Sequence, residues 1–212
     1  MLLYYITDRK SFEGNDAERY AAVLRCIAEA ARAGVDYIQL REKDLSAIDL
    51  ELLAREALHI VHENSATTKL LINTHSEIDL AAGADGVHLP AGSPPASAVH
   101  AAWLDHSKHT PTIGVSAHSA ADVLRAQRDG ADFAVLAPIF EKAGTSAKGI
   151  GLPALREACN ESSMPVLALG GVNLDNAQAC LDAGAKGVAG IRLFQQGNLA
   201  ETVKRLRQLS GN

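Results

Sequence analysis

The chain has 212 residues, 47% of them apolar and 21% charged, with a formal net charge of −5 at neutral pH. That composition supports one sizeable folded core and excludes a disordered tail, and the acidic balance leaves no basic excess for neutralising a nucleic-acid backbone. No apolar run approaches the roughly 18–20 residues of a membrane span, so a single cytoplasmic domain over residues 1–212 with small-molecule ligands is expected.

The first apolar run, Leu2–Ile6, has strand length, and Met1–Lys10 lacks the basic flank of a signal peptide. An amphipathic helix is predicted over Ala17–Ala33. The phrase Ala33-Gly34-Val35-Asp36 closes it and opens a second strand. This phrase echoes at Ala82-Gly83-Ala84-Asp85, Asp129-Gly130-Ala131-Asp132 and Ala183-Gly184-Ala185-Lys186. The glycines fall about fifty residues apart, the mark of a repeated supersecondary unit, and each can end a helix in the left-handed conformation just before an apolar strand. Between copies lie the strand-length runs Lys69–Asn73, Thr112–Ser116 and Val166–Leu169, which brings the predicted strands to eight. Further helices are predicted over Ala47–His62, Ala120–Asp129 and Leu174–Ala183. Regular alternation of strand and helix with no linker predicts an α/β fold, a (β/α)8 TIM barrel, with a doubly wound open sheet as the alternative. Cys26, Cys159 and Cys180 lack metal-ligand spacing and suit buried thiols in a reducing compartment.

In such barrels the reactive groups sit on the loops that follow the strands. After the second strand, Gln39, Arg41 and Lys43 at alternate positions would share one face and converge at the mouth as an anion or heterocycle clamp. The same residues could instead form a salt-bridged polar layer. After the fifth strand comes Ser116-Ala117-His118. An imidazole there can take and return a proton near neutral pH, so His118 is the acid/base candidate, with a capping role as the alternative. After the seventh strand, Gly170 and Gly171 let backbone N–H groups approach a phosphate, together with Arg192 in the loop after the eighth. A tight turn needing glycine is the competing explanation. Residues 138–151 form a long connection that is either a lid over an anionic substrate or a surface loop. His59, His62, His100, His106 and His109 fall on or near helices and no metal site is expected from them, whereas His75 and His88 flank the mouth.

Together the segments Tyr5-Ile6-Thr7-Asp8-Arg9, Gln39-Leu40-Arg41-Glu42-Lys43-Asp44, Leu71-Ile72-Asn73, Gly83–Leu89, Gly114–Ser119 and Leu169-Gly170-Gly171-Val172-Asn173 resemble the thiamin phosphate synthase and thiazole tautomerase superfamily of (β/α)8 barrels. The resemblance implies that the Gln39, Arg41, Lys43 and Asn73 positions hold a pyrimidine diphosphate in the synthases, where two carboxylates hold Mg2+. Thr74 stands at the first of those acidic positions, and Leu89-Pro90-Ala91-Gly92-Ser93 supplies no acid at the second. A hard ion wants carboxylate oxygens, so weak or absent metal-assisted chemistry is expected. The Leu-Pro-x-Gly-Ser segment is similar to the tautomerase branch, which implies a metal-free isomerisation of a carboxythiazole phosphate with His118 as acid/base. Against this, Gln39–Lys43 is closer to the synthase form, and Arg192 replaces a small phosphate-contacting serine, adding a cation or obstructing the site. Accordingly, a tautomerase-like isomerase without cofactor is the leading expectation, with Gln39, Arg41, Lys43, Asn73 and Ser116 binding substrate and Gly170, Gly171 and Arg192 binding phosphate. The alternatives are a Mg2+-dependent synthase with relocated ligands, Glu77 or Asp79, and a non-catalytic ligand-binding or regulatory relative. The partner is a small phosphorylated thiazole or pyrimidine in each case.

Overall fold

The computed structural model describes residues 1–73, 83–107, 109–141 and 148–209. Its strands are β1 (Leu2–Ile6), β2 (Tyr37–Leu40), β3 (Lys69–Asn73), β4 (Gly86–Leu89), β5 (Thr112–Ala117), β6 (Phe133–Leu136), β7 (Val166–Ala168) and β8 (Gly187–Gly190). They pair in parallel in chain order, and β8 closes on β1 through Leu3↔Val188 and Tyr4↔Ala189. The fold is a (β/α)8 barrel.

Around it run α1 (Asp16–Ala33), α2 (Ala47–Asn64), α3 (Ala96–Leu104), α4 (Ala120–Arg128), α5 (Gly151–Glu161), α6 (Ala177–Asp182), α7 (Arg192–Gln195) and α8 (Leu199–Leu209). Local chemistry sets their ends. Asn15 and Glu18 form a reciprocal capping box at the start of α1, and Gly34 ends it with φ +82. The predicted helix over Leu174–Ala183 starts only at Ala177, because the Asn173 carbonyl side chain accepts from the N–H groups of Asp175 and Asn176 and folds those residues into a turn first.

Alternation along the strands separates two cores. Outward residues such as Leu3, Tyr5, Ile38, Leu40, Leu70 and Ile72 pack against the helices. Tyr4, Ile6, Leu71, Phe133, Val135, Leu167 and Ala189 fill the barrel itself. The fifty-residue echo also has a physical cause: its aspartate satisfies the backbone of the preceding odd-numbered strand. Asp36 accepts from the Leu3 N–H at 2.7 Å, Asp85 from Leu70 at 2.8 Å and Asp132 from Ile113 at 2.7 Å. The fourth copy carries Lys186, which has no acceptor to offer.

Candidate active site

A cavity of about 940 Å³ opens at the C-terminal ends of the strands. Gln39, Arg41, Asn73, Ser116 and His118 line it from β2, β3 and β5, and Gly170, Gly171 and Arg192 line it from the ends of β7 and β8. Lys43 does not line it. β2 stops at Leu40, the chain turns at Lys43 and Asp44, and the expected alternation of faces breaks before it can carry the exposed Lys43 inward. Thr74, His75, Glu77 and Asp79, and residues 142–147 of the predicted lid, lie outside the described residues.

The loops after β1 and β2 are locked together by a buried polar clamp. Thr7 donates through Oγ1 to the Glu42 carboxylate at 2.6 Å and accepts from the Arg41 N–H at 3.0 Å. Glu42 also accepts from the Arg9 N–H at 2.9 Å. Burial pushes the Glu42 carboxyl up, opposed by those hydrogen bonds from Thr7 and Arg9. Arg9, 6% exposed, pairs with Asp16 at 2.9 Å and with Asp44. The clamp thus commits Glu42 to Thr7 and the Arg9 N–H, and the Arg9 guanidinium to Asp16 and Asp44, although its buried Nε has no partner among the described residues. The guanidinium of Arg41 has no hydrogen-bond or ion-pair partner among the described residues, nor does that of Arg192, and both line the cavity. Unpaired cations converging on one cavity make it an anion site.

Beneath the mouth runs a chain of buried polar groups. Gln39 Nε2 donates to the Tyr4 hydroxyl at 2.9 Å, Tyr4 lies 3.1 Å from His88 Nδ1, and His88 Nε2 lies 2.9 Å from Ser116 Oγ. His88, expected to flank the mouth, is 3% exposed and points into the barrel, because the period of two along β4 turns it inward. Burial, helped by the nearby Arg41 charge, lowers its pKa to about 3. Tyr4 went unrecognised in the sequence because an inward aromatic on a strand looks the same as core. Gly114 opposite has no side chain to spare: a Cβ there would sit 2.9 Å from His88 Nδ1 and 2.5 Å from the Phe133 ring.

At the rim, His118 Nδ1 donates to the Ala137 carbonyl at 2.8 Å, leaving Nε2 as an acceptor. The His118 N–H donates to Asp122 at 3.1 Å. Partial burial raises the Asp122 carboxyl, but hydrogen bonds from His118 and Ser119 and the Arg125 cation outweigh it and hold it below the usual range. Gly170 and Gly171 adopt φ +93 and +68. A Cβ on Gly170 would meet Pro138 at 2.8 Å, and one on Gly171 would meet Phe140 at 2.7 Å. Both glycines are thus required for packing against the loop after β6, whatever they do toward a phosphate.

The described carboxylates of the cavity are Asp8, after β1, and Glu141, after β6. No group of three His, Cys, Asp or Glu side chains that could hold a metal ion occurs among the described residues. β4 ends in Leu89, and Pro90 follows it, with no oxygen side chain at that rim position. The described residues thus gather no clustered carboxylate set for Mg2+, leaving Asp8 and Glu141 as the acids beside a substrate phosphate.

A sequence profile described as thiamine monophosphate synthase matches residues 3–194. The chain belongs to the thiamine monophosphate synthase family. It is 34% identical over 212 residues to the thiamine-phosphate synthase of Coprothermobacter proteolyticus, covering 98% of this chain and 93% of the relative. Its identity to the thiamine-phosphate synthase of Clostridium novyi is 32% over 190 residues, 88% of this chain and 87% of that one. A solved structure of thiamine phosphate pyrophosphorylase from Pyrococcus furiosus superposes with a TM-score of 0.80 at 26% identity, covering 98% and 94% of the two chains. These relatives overturn the leading expectation of a tautomerase-like isomerase and favour the transferase alternative. In the structure the Leu89–Ser93 segment forms a turn in which the Ser93 N–H donates to the Pro90 carbonyl, and it lines a small cavity of about 30 Å³ together with α4 and Ser116. Among the described residues no helix is long and apolar enough to cross a membrane.

Proposed function

We propose that this barrel is a thiamin phosphate synthase, joining a hydroxymethylpyrimidine diphosphate to a thiazole phosphate with release of pyrophosphate. The observation that carries this reading is the pair of unpaired guanidinium groups, Arg41 and Arg192, facing one cavity of about 940 Å³ from different loops. A site that joins two phosphorylated molecules needs two anion grips and room for both, and family membership supports the assignment.

In this reaction the bond between the pyrimidine methylene carbon and the diphosphate oxygen breaks, its electron pair leaving with pyrophosphate. The thiazole ring nitrogen supplies the pair for the new C–N bond. No proton has to move, so the work of the protein is to orient both molecules and to stabilise charge developing on the leaving group. In this reading Arg41, Asn73 and Ser116 hold the diphosphate, and Arg192 with the Gly170–Gly171 turn holds the thiazole phosphate, since all of them line the cavity. Mg2+ would share the neutralisation of the diphosphate, but no step is assigned to it, because the described residues gather no ligand set for it.

The test is a coupling assay with both phosphorylated halves and Mg2+, following thiamin phosphate and pyrophosphate together. Equimolar appearance of the two products is expected. Tight binding of both halves with no product would replace this reading with that of a non-catalytic relative. A Mg2+ titration in the same assay should be weak, half-saturating far above the protein concentration; tight dependence would direct attention to Glu77 and Asp79.

A further inference from the structure

The polar chain beneath the cavity has a direction, and the direction has a consequence for the ligand. A primary amide nitrogen only donates, so the Tyr4 oxygen accepts from Gln39 Nε2 and the single Tyr4 proton is left for His88 Nδ1 at 3.1 Å. That makes Nδ1 the bare nitrogen of the ring and puts the imidazole proton on Nε2, from which it is donated to Ser116 Oγ at 2.9 Å. With one lone pair of Ser116 engaged from below, its own proton is free to turn outward. We infer that Tyr4 and His88 are positioning residues which, with Gln39, fix the Ser116 hydroxyl as a donor into the cavity, where it selects an anionic oxygen of the ligand.

Three features support the order. His88 is 3% exposed and Tyr4 fully buried, so neither can exchange partners with water. The ring stays neutral because burial and the Arg41 charge both oppose a second proton, so one nitrogen remains an acceptor. The reverse order, with the Gln39 amide turned over, would draw the Ser116 proton down to His88 and present lone pairs to an anion beside Arg41, an arrangement that repels the group the arginine attracts. The identity of that anion as a diphosphate rests on the synthase reading; the order of the chain does not.

Nitrogen NMR on the full chain carrying labelled histidine reads the order directly. His88 is expected to be protonated at Nε2 and bare at Nδ1; protonation at Nδ1 overturns the inference. Calorimetry with inorganic pyrophosphate reads its consequence. Tyr4→Phe should weaken binding about tenfold, as expected for a hydrogen bond to a charged group, yet have no further effect in a Ser116→Ala background. An equal loss in both backgrounds would reduce Tyr4 to a structural residue and overturn the proposal. Should Tyr4→Phe fail to fold, the pair His88→Gln and His88→Leu decides: the glutamine amide can still donate to Ser116 and should rescue most of the affinity that leucine loses, and equal affinities refute the relay. If the unmodified protein does not bind pyrophosphate, the synthase reading fails, and the histidine tautomer still settles the chain.

Discussion

His118 sits at the rim with Nδ1 committed to the Ala137 carbonyl and Nε2 offering only a lone pair. Isomerisation would need a proton taken and returned at that nitrogen, and condensation of the two halves moves none. His118→Asn is therefore expected to keep thiamin phosphate formation within about tenfold of the unmodified rate, well short of the 10²- to 10⁴-fold that loss of a general acid/base costs. Arg41 is the opposite case. Its guanidinium is unpaired among the described residues and lines the cavity, so if the barrel is a synthase with Arg41 on the leaving diphosphate, Arg41→Met should lower kcat/KM by about 10²-fold or more, by analogy with removal of a preorganised oxyanion donor. Steady-state kinetics on the two variants checks both, and a reversal of their order would exchange their roles.

The loops after β1 and β2 act as one element because Thr7 serves both. Thr7→Val keeps the shape but removes the donor to Glu42 and the acceptor for the Arg41 N–H, both buried. A loss of roughly 1–3 kcal/mol in urea unfolding is expected, the cost of leaving such groups unsatisfied, with weaker pyrophosphate binding because Arg41 is carried by the same loop. The echo aspartates act at the other end of the barrel: Asp36→Ala strands the buried Leu3 N–H and should cost a similar ~1–3 kcal/mol while leaving turnover unchanged, since Leu3 lies near the start of a strand whose far end meets the cavity. These two clusters show what the sequence discloses. The barrel was legible because apolar runs, helix-ending glycines and the fifty-residue echo all agree, and the mouth residues were legible because each follows a strand. The clamp was not, since Thr7 and Glu42 are 35 positions apart and nothing local marks their meeting. Lys43 was misplaced by extending strand periodicity past Leu40, and the relay was missed because inward Tyr4 and His88 carry no signal that separates them from packing. The tautomerase expectation rested on Thr74, the acid-free stretch after β4 and the Leu89–Ser93 segment, whereas similarity along nearly the whole chain favours the synthase alternative.

At the scale of the whole molecule, a barrel with a neutral histidine in its interior ties its stability to pH. His88 titrates at about 3 in the folded protein, with desolvation the main cause, against about 6.5 in an unfolded chain. Below pH 6.5 the unfolded chain takes up a proton that the folded barrel refuses, so the stability due to neutral His88 is complete above that pH and drains away as the pH falls toward 3. Asp44 and Asp122, both held below their usual range, begin to act in the same direction only at the acid end, whereas Glu42, held above it, acts in the opposite direction as the pH falls through its raised pKa. Comparing the slope between pH 6.5 and 5 with that of a variant lacking the imidazole separates the histidine from Glu42. Urea unfolding across that window should lose up to about 1.4 kcal/mol per pH unit from this one group. His88→Gln, which keeps a hydrogen-bonding side chain but cannot titrate, should flatten the slope over the same window even if it lowers stability at pH 7. An unchanged slope in the variant would mean that His88 takes up its proton inside the folded barrel, and with it the assignment of a permanently neutral ring beneath the active site would fall.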